Sequence, residues 1–314
     1  MRILVWQSGA CGDVVIASGM GAEGLKKKYP NSHLCWGTET REVIGFLFNN
    51  PHINEVQCWF RQPEGPNQYP ADLRINLYWW GCQLSIQESF LEDLGVLGLV
   101  EAKDVVYTNK VDLSSAKDYI NSRFPSNGKP LITIQGDVGR AWTYPNNGNG
   151  KWNQSEYEKL VKFLNEMGCN VLEVSARNGL EYSVVAGIIK HSHLFVGAEG
   201  SMSHVAAGVG TQTVIIRPLY RPELTMAAYT QNKFISDVNL QHKVAAPKQW
   251  CEECSSCVTY TRPAKFNAPS NSANKFPPYV ERECSKCKPN CLYHIKAEEV
   301  AEIIRTTLQN RGLL

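Results

Sequence analysis

Apolar residues come along this chain in short runs that alternate with segments of helical spacing. ILVW at 3–6 has strand length, the stretch from Val14 to Lys28 has helical period, and HLCW (33–36) and EVQCW (55–59) are strand-length again. LRINL (73–77) and VVY (105–107) continue the strands, with helical stretches near 84–98 and 114–124. Strands separated by helices build parallel βαβ units, so this half predicts a doubly wound α/β sheet. The Pro/Gly/Asn-rich FPSNGKP at 124–130 then interrupts the order and places a boundary between domains 1–125 and 126–314.

Beyond the boundary the same order restarts. LITIQ (131–135) is apolar in the manner of a buried strand. After a long polar loop (136–152), a helix beginning near Ser155 sets Tyr157, Leu160, Val161, Leu164 and Met167 on one face. NVLEV (170–174), a helix over 179–192, LFVG (194–197), a small-residue helix beginning near Ser203, and TVIIR (213–217) follow. Val300, Ile303, Ile304 and Leu308 recur at helical spacing in a terminal amphipathic helix over 297–311. Two such units predict two Rossmann-like domains facing each other across a cleft.

With 314 residues the chain has room for two domains of about 150 residues each. Its 32 basic and 30 acidic side chains nearly cancel, which argues against broad electrostatic capture of nucleic acid or an anionic membrane. The first apolar run is only strand-long and gives way at once to Gly and polar residues, and no other run reaches bilayer length. A soluble, cytoplasmic chain without a signal peptide or membrane span is therefore expected.

Eleven cysteines change that picture in one region. Cys11, Cys35, Cys58, Cys82 and Cys169 stand among apolar neighbours and read as small buried hydrophobes. The other six are crowded as C-x2-C-x2-C (Cys251, Cys254, Cys257) and C-x2-C-x3-C (Cys284, Cys287, Cys291). In a reducing compartment this spacing points to a structural metal, four of the six thiolates completing a tetrahedral site. Zinc is the default ion, and iron also suits thiolates. The metal would staple segment 251–291, whose middle (261–280) is a Pro/Asn/Ser-rich loop.

Ligands of doubly wound folds gather at the carboxyl ends of strands. The loop after the first strand, QSGACGDVV, has Gly9 and Gly12 to let backbone approach a ligand, and Asp13 at the start of the next helix. Asp13 serves either as a reactive carboxylate or as a cap on the helix's unpaired N–H groups. The glycine spacing is not a dinucleotide fingerprint. In GNGKWNQSEY, Lys151 precedes a helix start and is either a phosphate ligand or a solvated lysine, while Trp152 packs on the helix. In LFVGAEGSMSHVAAGVGTQTVIIR (194–217) a strand, a polar loop and a helix aim the N–H groups around Gly200, Ser201, Met202 and Ser203 at one point, suited to a diphosphate. Glu199 could accept from sugar or ribose hydroxyls. His204 donates to phosphate, caps locally, or is a satisfied interior histidine, the last favoured for the residue taken alone. Ala206, Ala207, Gly208 and Gly210 let this helix pack close to the sheet. Tyr78, Trp79 and Trp80 form an acceptor-stacking surface or a packed loop.

ILVWQSGACGDVV, GKWNQSEYEKLVKFLNEMG, LFVGAEGSMSHVAAGVGTQTVII and CLYHIKAEEVAEII together resemble glycosyltransferase family 9, the ADP-heptose:lipopolysaccharide heptosyltransferase group, over nearly the whole chain. The third is the most specific, similar to the family's D-[ST]-G-x-x-H-x-A-A loop. The resemblance implies a glycosyltransferase-B fold. It also implies inverting, metal-independent transfer of a sugar, heptose or another, from a nucleotide-diphosphate donor to an acceptor hydroxyl, as on a glycan or lipopolysaccharide core. By it, Asp13 matches the catalytic base, Lys151 a lysine on the donor phosphates, and Gly200, Ser201, Met202, Ser203 and His204 the diphosphate loop, with Gly12 beside the donor. Glu199 stands where most members have Asp. The second domain is shorter by about one βα unit before LFVG, and IIRPLYRPE replaces a common FGPT, so that Arg217 or Arg221 would face the leaving group. The related autotransporter heptosyltransferases resemble this chain in having a cysteine-bound iron motif.

Two alternatives stay open on sequence. One is a metal-stapled nucleic-acid-binding protein without catalysis, and the other a glycosyltransferase acting on modified DNA bases. Lys243, Lys248, Arg262, Lys265, Lys275, Arg282, Lys286 and Lys288 surround the cysteines and would serve either. The transferase reading requires Asp13 to lie beside the Ser201 loop across the cleft.

Overall fold

The apolar runs become strands of two parallel sheets in the computed structural model, which describes residues 1–9, 11–62, 64–77, 86–125, 127–135, 154–174, 179–198, 200–216, 242–245 and 296–314. The first sheet contains β1 (Arg2–Gln7), β2 (His33–Thr38), β3 (Glu55–Cys58) and β4 (Leu73–Leu77), in the order β3-β2-β1-β4. Gln7 pairs with both Thr38 and Leu77, so three strands end level at one carboxyl edge. The helices of this half are α1 (Cys11–Lys28), α2 (Ile44–Asn49), α3 (Gly65–Gln68) and α4 (Ile86–Asp93).

Helix α5 (Lys110–Arg123) starts on Asn109, whose side chain accepts from the Asp112 N–H at 2.7 Å. The second sheet follows, with β5 (Leu131–Gln135), β6 (Asn170–Glu173), β7 (Leu194–Ala198), β8 (Thr213–Ile216) and β9 (His242–Ala245) in the order β6-β5-β7-β8-β9. Its helices are α6 (Gln154–Glu166), α7 (Tyr182–His191), α8 (Ser201–Gly208) and α9 (Ala297–Gln309). Helix α5 packs on α7, where Gly187 allows the approach: a Cβ there would lie 3.0 Å from the Asp112 carbonyl oxygen.

Alternation along β1 divides its side chains between two faces. Ile3 and Val5 join Val14, Val15 and Met20 of α1, while Leu4 and Trp6 meet Cys35, Trp59 and Tyr69 on the other face. In the second sheet Ile132 and Ile134 bury against Leu160 and Leu164 of α6 and Val300, Ile304 and Leu308 of α9. Each such leucine contributes about 2 kcal/mol. The opposite face, with Phe195 and Ile215, joins α7, α8 and α1 in one apolar cluster that runs through both halves.

Glu156 fastens α9 to α6. Its carboxylate, 3% exposed, accepts from the Ala297 N–H at 2.8 Å and lies 3.0 Å from the Lys159 ammonium. Burial pushes this carboxyl up, but the Ala297 amide and Lys159 outweigh it and hold it below the usual range.

Several expectations need correction. VVY at 105–107 is not a strand, because its backbone is taken by the helices on either side. A Cβ on Gly19 of α1 would sit 2.0 Å from the Val105 carbonyl oxygen, and the Val106 N–H donates to the Gly208 carbonyl at 3.0 Å. The small residues at the end of α8 thus admit a connecting segment: a Cβ on Gly208 would lie 2.9 Å from the Val106 nitrogen. Gly210 instead makes the turn after the helix, at φ 81°. Helix α1 starts at Cys11 rather than Val14 and α8 at Ser201 rather than Ser203, and α9 ends at Gln309. Strand β9 had no signal in the apolar pattern. Cys35 and Cys169 are buried, but Cys11 and Cys58 are only partly so. Cys82 and the six clustered cysteines lie outside the described residues. Among the described residues no helix is long and apolar enough to cross a membrane.

Candidate active site

The end of β1 is tied to the start of α1 by Gln7. This side chain is 1% exposed and its Nε2 donates to the Asp13 carbonyl at 2.8 Å, while its Oε1 is buried with no hydrogen-bond partner among the described residues. Asp13 is the third residue of α1, where the helix dipole favours a carboxylate. The carboxylate folds back toward the preceding turn: a Cβ on Gly9 would lie 3.1 Å from Asp13 Oδ2. Any side chain at position 9 would crowd it, which is a physical use for that glycine. The Thr40 hydroxyl donates to the Gly9 carbonyl at 2.8 Å and fixes the same turn from the end of β2.

The turn between β7 and α8 is closed from within. Ser203 Oγ accepts from the Gly200 N–H at 3.1 Å and donates to the Gly200 carbonyl at 2.7 Å. That carbonyl also accepts from the N–H groups of Ser203 and His204. By helix geometry the Ser201 and Met202 amides then have no acceptor within α8. Ser201 is half-buried, whereas Met202, Ser203 and His204 are at most 4% exposed.

These two turns meet. A Cβ on Gly12 would lie 3.5 Å from Ser201 Cα, 3.6 Å from its nitrogen and 3.9 Å from His204 Cδ2. Tyr182, the first residue of α7, adds a third helix start, its phenol near Cys11 and Ser201. Burial pushes the Tyr182 phenol up to about 12 and the Cys11 thiol up to about 11, so both stay protonated at neutral pH. Three helix N-termini, each worth roughly half a positive charge, therefore begin at one place with an aspartate beside them.

Behind this point lies a buried polar cluster. His204 Nδ1 is 2.7 Å from Asp104 Oδ2, and Gln87 Nε2 donates to Asp104 Oδ1 at 3.0 Å. The reading of His204 as a satisfied interior histidine fits this burial. At the carboxyl ends of β2 and β3, the Arg41 and Arg61 guanidinium groups stand 4.2 and 5.0 Å from the Phe60 ring centre, close enough for cation–π attraction. Phe60 is 37% exposed, and Arg61 holds a left-handed backbone at φ 59°, uncommon for a residue with a side chain.

Of the residues singled out in the sequence, Gly12, Asp13, Gly200, Ser201, Met202, Ser203 and His204 come together, the last three as buried support. Lys151, Trp152, Glu199, Arg217, Arg221 and Tyr78 to Trp80 lie outside the described residues. No motif announced Cys11, Tyr182, Arg41, Phe60, Asp104 or Gln87. Asp104 reaches His204 across 100 positions, a separation over which a single sequence has no signal. Among the described residues no group of three or more His, Cys, Asp or Glu side chains is placed to hold a metal ion.

No family model matches the sequence, and no curated protein matches it. Solved structures do match the fold. A glycosyl transferase family 9 protein from Veillonella parvula is 13% identical, with a TM-score of 0.70 over 98% of this chain and 97% of that one. ADP-heptose lps heptosyltransferase II of E. coli is 12% identical, with a TM-score of 0.65 over 99% of this chain and 100% of that one. The iron-containing dodecameric glycosyltransferase TibC from enterotoxigenic E. coli is 13% identical, with a TM-score of 0.62 over 100% of this chain and 77% of that one. The chain thus shares the α/β fold with parallel sheets of these glycosyltransferases.

Proposed function

We propose that the protein is an inverting glycosyltransferase that moves a sugar from a nucleotide-diphosphate donor to an acceptor hydroxyl without a catalytic metal. The observation that supports this reading is the close approach of Gly12, the residue before Asp13, to Ser201 at the start of α8. The shared fold of the family 9 protein and heptosyltransferase II supports it.

In the proposed reaction the donor diphosphate lies against the Ser201 and Met202 amides and the N-termini of α1, α7 and α8. Asp13 Oδ takes the proton of the acceptor hydroxyl as its oxygen attacks the anomeric carbon. The bond to the diphosphate oxygen breaks on the opposite face, and the charge that appears there meets amides already oriented toward it, together with Lys151. Positive charge supplied in this way takes the place of a divalent cation.

The donor that the fold relatives suggest is ADP-heptose, which one E. coli relative binds as its 2-fluoro analogue. Glu199, in the position of an aspartate in the resemblance, is proposed to take the sugar or ribose hydroxyls. The Arg41–Phe60–Arg61 stack supports an acceptor with anionic groups, such as a lipopolysaccharide core or a comparable glycan. Four of the six clustered cysteines are proposed to hold a structural metal. Zinc is the first choice, with iron kept as the alternative because TibC is iron-containing.

A thermal-shift panel of nucleoside diphosphates and their sugars tests the reading. A ligand at 100 times its dissociation constant adds about 2.7 kcal/mol to stability. A raised melting temperature with at least one nucleoside diphosphate is expected, and no shift with any member of the panel would contradict the proposal.

A further inference from the structure

The proposed chemistry leaves one polar cluster behind the starts of α1 and α8 without a task. Asp104 is 5% exposed and His204 4%, and both carboxylate oxygens of Asp104 are engaged, one by His204 Nδ1 at 2.7 Å and the other by the Gln87 amide at 3.0 Å. A carboxylate that accepts from both sides requires a proton on Nδ1, which leaves Nε2 on the far edge of the ring. That edge is turned toward the starts of α1 and α8: Cδ2, bonded to Nε2, lies 3.9 Å from where a Cβ on Gly12 would be, and the same Cβ lies 3.6 Å from the Ser201 nitrogen. Taking two ionisable groups out of water costs several kcal/mol, and an apolar pair of equal volume would often serve stability as well. The cluster therefore calls for a role in orientation.

We propose that Asp104 is a positioning residue for the donor pocket, fixing the ring orientation and tautomer of His204 so that its Nε2 edge faces the diphosphate at the start of α8, with Gln87 holding the carboxylate. This rests on the diphosphate reading above. Asp104 precedes the residues gripped between Gly19 of α1 and Gly208 of α8, so the ring is aligned by the same segment that joins the two halves.

The test combines a spectroscopic and a binding readout on the full chain. Long-range ¹H–¹⁵N spectra report the His204 tautomer, assigned among the seven histidines with His204→Gln. Calorimetry gives the affinity for inorganic pyrophosphate. Wild type is expected to show Nδ1 protonated, and Asp104→Asn to shift the ring signals and weaken pyrophosphate about tenfold, or about 1.4 kcal/mol. In the double variant the loss should not exceed that of His204→Gln alone, because the two residues act through one atom. Should Asp104→Asn not fold, Gln87→Leu replaces it in the same cycle, with about a threefold loss expected. Unchanged ring signals and affinity in the carboxylate variant, or losses that add in full, would overturn the inference. A wild type that binds neither pyrophosphate nor any nucleoside diphosphate would instead overturn the reading beneath it.

Discussion

Asp13 and Ser203 occupy the same position in two helices, the third residue after a strand-to-helix turn, and fare differently. Ser203 is fully buried and its short hydroxyl closes on the backbone of Gly200, two bonds that finish the turn from within. Asp13 stays half-buried, its carboxylate leaning over Gly9. A side chain that completes its own turn has little left to offer a ligand. A carboxylate beside three helix starts is, in the proposed reaction, the group that takes the proton. The contrast sorts the polar residues at these helix starts: Asp13 and Ser201 are half-buried, while Ser203, Asp104 and Gln7 are buried in the frame.

Asp13→Asn breaks the comparison most sharply. An amide can still cap the helix but cannot take a proton, so turnover is expected to fall by about 10² to 10⁴. Donor affinity should be retained and the melting temperature nearly so. Steady-state kinetics beside a thermal melt checks this, and unimpaired turnover in saturating donor would make Asp13 a cap, equivalent to Ser203 after all.

Gly19→Ala attacks the frame instead. The new methyl would meet a backbone oxygen held between two helices, so a loss of about 1–3 kcal/mol is expected from overpacking. Chemical denaturation measures it, and wild-type stability would mean that the Val105 segment yields easily. Ser203→Ala has the smallest effect, about 1 kcal/mol for a lost helix-start bond. Nucleotide affinity, read by calorimetry, should change less than twofold. A large loss there with stability intact would move Ser203 from frame to ligand.

Much of the fold was legible because the strands are apolar runs bounded by turn residues, as in LITIQ and LRINL, and the later helices have clean faces, as in Leu160 and Leu164. Helix starts were less so. Cys11, Gly12, Ser201 and Met202 open their helices straight after turns of small and polar residues, where apolar period carries no information, and so α1 and α8 begin earlier than expected. VVY misled for a related reason. Val106 is buried and Val105 partly so, much as in a strand, yet what they meet is Gly19 on one side and Gly208 on the other. Asp13 stood out through its flanking glycines. Asp104 and Tyr182 did not, since their partners come from distant parts of the chain and neither sits in a patterned loop.

The central claim is that the amides opening α8 bind the donor's diphosphate. Ser201 is the first residue of that helix, where proline is well tolerated and removes one N–H without disturbing the turns that follow. Calorimetric titration of a nucleoside diphosphate into Ser201→Pro, with Ser201→Ala as the control that keeps the amide, isolates that group. The account predicts that the alanine variant binds within about threefold of wild type and the proline variant at least about tenfold more weakly, the worth of one hydrogen bond to a charged group. Equal affinity in a folded proline variant would contradict it.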